Sequence, residues 1–466
     1  MSSTQHDTPN VSARQEQPST QSWEREVVPR LPGQLHEQAQ QLQAFERSRQ
    51  IGSASDLLRG VLAYVYTVHS FAHLSLWSVL VGVADISANA WRKRLRQAGP
   101  WLEWLLQEVL ASSTAVAPWL ARSGLRRVLL IDGTHLPCPG PHGLIWRVHT
   151  AFDLLTGRLS QLRVTDSHVA ERLELFELQE GDLVITDRAN GYRERIAFVR
   201  ERLAHLVVRF SVATLPLHDA QGKRIELVKW LKGRHAPGGR SCSLPVCIQQ
   251  QEGQPLRMIA LRLTQAQRQR AQRRTKRQAS KQQRQLQADT LYLAGWLLLV
   301  TTLPSEQWSD QQVLALYQAR WHIELLFKRI KQLLHQQRLR CTTAQTARAA
   351  VTALLVGWAL LEEEGQQMRW ALDEAMQQVR EPHAPPASQT SQDQAPLSEW
   401  LLAELSLDLL AQQIRGHYDR ARVRACLPQF QRLLRPGHRK RPHLYTQVCR
   451  WLRIPASSSA EGELIA

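Results

Sequence analysis

The sequence predicts an α/β protein in which a mixed sheet is combined with helices. Val128–Ile131 and Asp182–Thr186 are short apolar runs, as expected for buried strands. Each run is followed directly by an aspartate, Asp132 and Asp187. Further along, Asp310–Gln337 has helical periodicity and contains neither Gly nor Pro. Short buried strands that alternate with helical patterns are typical of an α/β layer structure.

The N-terminal part of the chain is predicted to be helical after a polar leader. Residues 1–50 are rich in Gln, Ser and Glu, which indicates a disordered or loosely helical segment. Residues 51–122 have a helical pattern, in which Phe71–Val81 and Ser87–Arg96 are separated by a short break. Ser87 is a suitable N-cap for the second, basic helix. This pattern favours a DNA-binding helix-turn-helix, although many two-helix corners without DNA look the same.

Residues 123–212 are predicted to form the first part of an α/β core. Counting the first strand, Val128–Ile131, the pattern gives three strands, a helix, a strand, a helix and a strand, which is the order expected for an RNase H-like core. The predicted strands after the first are Leu144–Phe152, Arg158–Thr165, Asp182–Thr186 and His205–Phe210, and the predicted helices are Ala170–Glu177 and Gly191–Leu203.

The second half of the chain alternates between the core and additions to it. Residues 213–290 are rich in Gly and Pro between short apolar pieces, which indicates a β-rich insertion. Its last part, Gln265–Gln287, is basic without a single acidic residue, and fits either a phosphate-tracking arm or a solvated linker helix. Residues 291–345 return to the core with a strand in Leu291–Leu303 and the long helix. Residues 346–466 are predicted to be a helical C-terminal region with a Pro-rich linker.

The composition favours a polyanionic partner and a cytoplasmic location. The formal net charge is +18 and the pI is about 10.3, so binding to phosphates is favoured by counterion release. The leader lacks the apolar stretch of a signal peptide, and the longest apolar runs are short for a membrane span. The six cysteines are scattered and form no Cys-x2-Cys pair, so a zinc site is not expected. The motifs of serine hydrolases and of phosphate-binding loops are absent.

A polar stripe on the long helix carries the strongest functional signal. At about 100° per residue, Tyr317, Arg320, Glu324 and Lys331 fall within an arc of roughly 60°. One interpretation is an internal Arg320–Glu324 pair on a solvated face, which would contribute only a few tenths of a kcal/mol. The other is that Glu324 faces a metal and its neighbours face an anion. Apolar residues flank the stripe: Leu314, Trp321 and Leu325 on one side, and Leu316, Phe327 and Ile330 on the other.

Three carboxylates are candidates for a metal centre. Asp132 and Asp187 stand at the ends of buried strands, and Glu324 stands on the polar stripe. Hard oxygen ligands suit Mg²⁺, and Mn²⁺ can take its place. Two such ions would activate the attacking oxygen and stabilise the leaving oxygen of a phosphodiester displacement. Rival carboxylates without a downstream partner pattern are Asp153, Asp166 and Glu171.

The spacing Tyr-x2-Arg-x3-Glu-x6-Lys resembles the signature helix of DDE transposases of insertion-sequence group four, the YREK family. Asp132-Gly133-Thr134 is similar to the first-aspartate motif of this family, and Asp187-Arg188-Ala189-Asn190-Gly191-Tyr192 to the second. The resemblance implies that Asp132, Asp187 and Glu324 form the catalytic, metal-binding triad. It also implies DNA contacts for Tyr317, Arg320 and Lys331, and base stacking for Trp296, for which core packing is the alternative. Arg188 could contact DNA or lower the pKa of Asp187.

The same resemblance implies the partners and the reaction. The protein would bind double-stranded DNA, both transposon ends and target DNA, and act as a homodimer on paired ends. It would hydrolyse phosphodiesters with Mg²⁺ and join the freed 3′-hydroxyl to target DNA. Two alternatives remain open: a catalytically inactive, transposase-derived DNA-binding protein, and a metal-dependent nuclease without strand transfer.

Overall fold

The computed structural model describes residues 18–46, 49–112, 125–137, 145–234, 240–248, 256–333, 341, 343–378 and 398–433. The predicted Pro-rich linker Arg380–Pro396, the tail beyond residue 433 and the end of the predicted long helix lie outside these ranges. Within them, the chain forms a mixed sheet with helices against both faces, which confirms the α/β prediction.

The described strands form one eight-stranded sheet in the order β3-β2-β1-β4-β5-β8-β7-β6. Strands β1, β4 and β5 are parallel to one another, and every other neighbouring pair is antiparallel. The two strands of the predicted insertion, β6 and β7, extend this same sheet through β8 instead of forming a second one. The strands are β1 (Arg127–Pro137), β2 (Ile145–Asp153), β3 (Arg158–Asp166), β4 (Asp182–Thr186), β5 (His205–Arg209), β6 (Ser241–Val246), β7 (Leu256–Arg262) and β8 (Trp296–Thr301).

Helices cover the two faces of the sheet unequally. Alternate residues of β1 point to opposite faces, so Val128 and Leu130 join the larger core and Leu129 and Ile131 the smaller one. The larger core takes side chains from α1–α6 and α11–α14, whereas α7, α8 and α10 lie on the smaller one. The helices are α1 (Pro18–Glu26), α2 (Leu35–Gln41), α3 (Ala54–Ala63), α4 (Phe71–Leu80), α5 (Ala88–Gln97), α6 (Gly99–Ser112), α7 (Arg193–Arg200), α8 (Leu227–Lys232), α9 (Gln265–Lys281), α10 (Ala288–Leu293), α11 (Asp310–Ala319), α12 (Trp321–Leu333), α13 (Ala344–Gln378), α14 (Glu399–Arg415), α15 (Arg420–Ala425) and α16 (Leu427–Leu433).

The central helix α13 packs inside the larger core. By length and composition its stretch Ala344–Arg369 could cross a membrane, but most of that stretch is buried within the protein. Ala350, Leu354 and Trp358 are fully or almost fully buried against neighbouring elements. Its apolar composition is therefore explained by the core that it fills.

The described part of the leader, which the sequence predicts to be disordered or loosely helical, forms helices α1 and α2 and packs against the larger core. Trp23 is fully buried, and its indole N–H donates to Ser55 Oγ at 2.8 Å. Arg30 donates to Glu364 Oε2 at 2.6 Å, which ties the segment to α13. A few widely spaced apolar residues pack this segment against the rest of the protein. Its mainly polar composition therefore does not reveal that it is packed.

Trp23→Ala is expected to lower the free energy of unfolding by about 3 kcal/mol, because it empties a fully buried aromatic site. Chemical denaturation monitored by circular dichroism measures the change. Trp321→Ala is the matched control, since Trp321 is 57% exposed and its truncation leaves little cavity. Equal effects of the two substitutions would mean that the N-terminal segment is not docked in solution.

Helices α4 and α5 lie where the two helices of the predicted corner were expected, and they contact each other. The hydroxyl of Ser87 accepts a hydrogen bond from the backbone N–H of Ala90, as expected for an N-cap. Trp91 is buried, and its indole donates to Ser78 Oγ at 3.2 Å. Gly60 makes this packing possible, because a Cβ there would lie 2.1 Å from the Trp91 ring. Trp91 therefore holds the two helices together, and Lys93 and Arg96 of α5 are left exposed to solvent.

The predicted long helix is divided in two at Arg320. Helix α11 begins with the expected capping box, in which Ser309 and Gln312 exchange hydrogen bonds. At the junction, the N–H of Arg320 bonds to Tyr317 O and the N–H of Ile323 bonds to Arg320 O, both with three-residue spacing. The sequence contains no Gly or Pro to signal this break. Trp321, predicted to flank the stripe as an apolar packing residue, is mostly exposed just after it.

Candidate active site

Parallel pairing of β1 and β4 brings the two aspartates together. Ile131 on β1 is aligned with Thr186 on β4, so Asp132 and Asp187 are the next residues on neighbouring strands. Such strands lie roughly 4.8 Å apart. The Asp132 carboxylate accepts a hydrogen bond from the N–H of Gly133 at 2.8 Å, and Asp187 Oδ1 accepts one from Ala189 N at 2.7 Å. Asp187 therefore follows the end of β4. Asp132 lies within β1, which continues to Pro137 and does not end at this aspartate as predicted. The two aspartates are neighbours where the pairing of β1 with β4 ends.

Arg320 joins the third carboxylate to this pair. Its Nη1 donates to Asp132 Oδ2 at 3.1 Å, and its Nη2 donates to Glu324 Oε1 at 2.5 Å. The Arg320–Glu324 pair at i, i+4 therefore exists, but it belongs to a network that reaches across to β1. Charge-assisted hydrogen bonds of this kind are stronger than neutral ones. Residues 188 positions apart in the chain thus meet at one place.

The charges of this network act on one another. Burial raises the pKa of Asp132 to about 6; the Gly133 N–H and Arg320 oppose the increase, whereas Asp187 and Glu324 add to it. Burial also raises the pKa of Tyr317, whose hydroxyl side chain is hydrogen-bonded to Arg320. The pKa values of Asp132 and Tyr317 therefore each depend on several neighbouring charges, as expected where like charges converge.

Glu171, which the sequence ranks low, lies in an irregular segment after β3. The helix predicted over Ala170–Glu177 is therefore wrong, because this range contains only the short 3₁₀ helix Leu173–Leu175. The pKa of Glu171 is raised to about 7, chiefly by burial and also by the charges of Asp132 and Asp187, while Arg147 lowers it. A Cβ at Gly133 would lie 2.9 Å from the Glu171 side chain, on the face of β1 opposite to the Asp132 side chain.

The two other rival carboxylates have structural roles. Asp153 is buried and accepts hydrogen bonds from the backbone N–H groups of Val128 and Leu155. Asp166, at the end of β3, accepts one from the backbone N–H of His168 at 2.7 Å. Both therefore stabilise chain turns, which agrees with their lower ranking.

The remaining predicted residues differ in position. Lys331 lies near His135 of β1. Burial lowers the pKa of His135, and the positive charges of Arg147 and Lys331 lower it as well. Arg188 is exposed immediately after Asp187. Trp296 begins β8 at the carboxyl end of β5, but it is only 3% exposed and packs in the smaller core. This burial agrees with the alternative of core packing, and stacking on a base would require the ring to leave the core.

Trp321 is an aromatic residue at this site whose exposure the sequence pattern does not predict. It follows Arg320 directly and is 57% exposed, although it belongs to the apolar flank of the stripe.

The donor set fits a hard divalent ion, but the described residues do not form a preassembled cage. Asp132, Asp187 and Glu324 offer only carboxylate oxygens, which suit Mg²⁺ and Mn²⁺. Among the residues in the described ranges, no group of three or more acidic, His or Cys side chains is arranged to hold a metal. The Arg320 guanidinium donates hydrogen bonds to Asp132 and Glu324. It thereby supplies a positive charge where a metal ion would otherwise bind these carboxylates.

Two aspartates on neighbouring parallel strands, with a glutamate from a later helix linked to one of them through Arg320, form the arrangement expected of a DDE transposase domain. The family model of the transposase DDE domain matches residues 123–360. The chain is 34% identical over 340 residues to the transposase for insertion sequence element IS421 from Escherichia coli. It is also 34% identical over 339 residues to InsL of insertion sequence element IS186A from Escherichia coli K12. Each alignment covers 71% of this chain and 90% of the relative.

The chain therefore belongs to the DDE transposases, in insertion-sequence group four. This confirms the family that the signature spacing indicated.

Proposed function

We propose that this chain is a Mg²⁺-dependent transposase that binds the terminal inverted repeats of an insertion sequence, cuts them and joins them to target DNA. Asp132, Asp187 and Glu324 are its catalytic carboxylates, on a core of RNase H-like type. The observation that carries this proposal is the network in which Arg320 links Asp132 to Glu324 beside Asp187. If Arg320 and Glu324 formed only a local ion pair, Arg320 would not also bond to Asp132 on β1.

The residues of the signature helix would exchange partners when DNA binds. Without DNA, the Arg320 guanidinium neutralises Asp132 and Glu324. Two oxygens of a tetrahedral phosphate can also accept two parallel hydrogen bonds from a guanidinium. Arg320 would therefore turn to the phosphate of the transposon end, with Tyr317 beside it and Lys331 as a further point charge. The two carboxylates would then be left with free oxygens.

Those oxygens would hold the metal. Two bound Mg²⁺ ions would supply activation of the attacking oxygen and stabilisation of the leaving one. The protein's own contribution is the rigid placement of the acceptors, since Asp132 and Asp187 are held by neighbouring parallel strands.

Two basic helices are suited to hold DNA outside the catalytic centre. Helix α9 is 17 residues long, has no buried residue and carries a dense row of cations. It is attached to the body by Gln272, whose amide donates to Leu291 O at 3.1 Å. These features support a phosphate-tracking arm over a plain linker. Its cations are Arg268, Arg270, Arg273, Arg274, Lys276, Arg277 and Lys281.

Helix α5 is proposed as the recognition helix, and neutralising its exposed cations tests this. Lys93→Gln with Arg96→Gln is expected to weaken binding of the transposon end and to reduce the slope of log affinity against log salt by about 1 to 2. Filter binding or fluorescence anisotropy across a salt series measures both. Lys223→Gln with Lys229→Gln is the control, since it removes the same charge elsewhere on the surface. An equal reduction in both double variants would mean that only net charge matters.

The reaction itself is tested by incubating the protein with a labelled transposon end and target DNA, with Mg²⁺ and with EDTA. Mg²⁺-dependent cutting and joined products would support the full proposal. Cutting without joining would favour the metal-dependent nuclease. End binding without cutting would favour the inactive, transposase-derived DNA-binding protein. By family analogy we expect a cytoplasmic homodimer on paired ends, and sedimentation of the protein–DNA complex tests the dimer.

A further inference from the structure

Thr150 of β2 is a fully buried threonine whose hydroxyl has no hydrogen-bond partner among the described residues. In the antiparallel pairing of β1 with β2, Thr150 lies directly opposite Asp132. Residues in such a position point to the same face of the sheet, with their Cβ atoms roughly 4.5–5.5 Å apart. Thr150 and Asp132 therefore share the face of the sheet from which Arg320 reaches the aspartate.

The other neighbours of Thr150 on this face are apolar. Along β2 they are Val148 and Phe152, and on the neighbouring strand β3 the residue opposite is Leu162. All three are buried in the larger core. A buried hydroxyl without a partner is destabilising, and valine would fill the same space without that cost. Among these four nearest positions, only Asp132 offers an acceptor to the Thr150 hydroxyl.

The Asp132 carboxylate can accept a further hydrogen bond. Its first oxygen accepts from the N–H of Gly133 at 2.8 Å, and its Oδ2 accepts from Arg320 Nη1 at 3.1 Å. An ionised carboxylate has about four acceptor sites on its two oxygens, so these two donors do not fill it. If Arg320 turns to a phosphate of the DNA, as in the proposed function, Oδ2 also loses its donor.

We infer that Thr150 is a positioning residue for the first catalytic aspartate, and that its hydroxyl donates to Asp132 once Arg320 has moved to the DNA. Rotation of the threonine side chain between staggered rotamers redirects the hydroxyl. The new hydrogen bond replaces the one that Arg320 gave up, and it holds the carboxylate in its orientation. The inference rests on the proposed function, because it assumes that Arg320 releases Asp132 when DNA binds.

A double-mutant cycle in the DNA-free protein tests the contact without any reaction. In the wild type, Thr150→Val is expected to leave the melting temperature in EDTA unchanged or to raise it, because it removes a hydroxyl without a partner. In Arg320→Ala, where the hydroxyl can donate to Asp132, the same change is expected to lower the melting temperature by about 2 °C. Equal shifts in the two backgrounds would overturn the inference.

Thr150→Ser and Thr352→Val are the matched controls for this cycle. Serine retains the hydroxyl, so Thr150→Ser should shift the melting temperature equally in both backgrounds. Thr352 is also fully buried, but its hydroxyl donates to Arg348 O within α13 at 3.0 Å. Thr352→Val should therefore lower the melting temperature alike in the wild type and in Arg320→Ala. If Thr150→Ser depends on the background as Thr150→Val does, the hydroxyl is not the cause and the inference is wrong.

The second measurement separates the rate of cleavage from the affinity for DNA. With Mg²⁺ and a saturating labelled transposon end, Thr150→Val is expected to cut about tenfold more slowly than the wild type, because Asp132 is held less rigidly. Its Kd for the end, measured by anisotropy in EDTA, should not change. Thr150→Ser and Thr352→Val should cut at nearly the wild-type rate. Either a wild-type rate for Thr150→Val or an equally slow Thr150→Ser would contradict the inference.

Asp132→Asn in the same cleavage assay separates failure of this inference from failure of the proposed function. If Asp132→Asn abolishes cutting while Thr150→Val cuts normally, only the role of Thr150 is wrong. If Asp132→Asn cuts like the wild type, Asp132 is not catalytic and the proposed function itself is wrong.

Discussion

Glu324→Gln is expected to abolish cleavage and joining of transposon ends while leaving end binding nearly intact. The substitution keeps the size of the side chain but removes the negative charge that would bind the metal. The rate of cleavage should fall at least ~10³-fold, which corresponds to roughly 4 kcal/mol of barrier. Cleavage of a labelled end in Mg²⁺ measures the rate, and anisotropy in EDTA measures binding.

Glu103→Gln is the control for this substitution, because it also removes a carboxylate that pairs with an arginine, Arg348, outside the site. It should cut at the wild-type rate. Loss of end binding in Glu324→Gln would show that Glu324 holds the fold or the DNA instead of the metal. Undiminished cutting by a folded Glu324→Gln protein would remove it from the catalytic centre.

Arg320→Ala is expected to weaken end binding about 10- to 100-fold and to destabilise the metal-free protein. Two partly buried carboxylates would lose their shared cation, at a cost of about 1–3 kcal/mol. Added Mg²⁺ or Mn²⁺ should restore more stability to the variant than to the wild type, because the ion can replace the missing charge. Thermal unfolding with EDTA and with a metal series, together with end binding across a salt series, checks both effects.

Arg348→Ala is the matched control, since Arg348 forms a comparable ion pair on an exposed face and such pairs contribute little. Arg320→Lys adds a geometric test: it keeps the charge but cannot donate to Asp132 and Glu324 as a planar fork. An unchanged salt slope in Arg320→Ala would mean that Arg320 never contacts phosphate. If added metal raised the stability of Arg320→Ala and of the wild type equally, Arg320 would not occupy the position of the metal ion.

Local patterns were sufficient to predict much of the core. Continuous apolar runs identified β1 and β4, because strands buried on both faces need apolar residues on both sides. The polar residue Ser87 identified the beginning of α5, because its side chain accepts a free N–H group of the first turn. The signature spacing indicated the family, since the spacing of residues on a helix fixes their relative positions.

Other features had no local signal. The break at Arg320 occurs without Gly or Pro, and the burial of Trp23 depends on Ser55 and the helices packed around it. Trp296 and Trp321 were both part of apolar patterns, yet one is buried and the other exposed. Which side of an apolar helix meets the core depends on its neighbours, so periodicity alone cannot decide it.

The sequence by itself determined the α/β class, the main strands, the family and the three candidate carboxylates, because each depends on residues that are close in the chain. The tertiary structure alone decided that Arg320 bridges Asp132 and Glu324 and that Trp23 packs into the larger core. These contacts join residues that are far apart in the chain. They arise only when parallel strands and packed helices set the distance between side chains, and no local pattern records that distance.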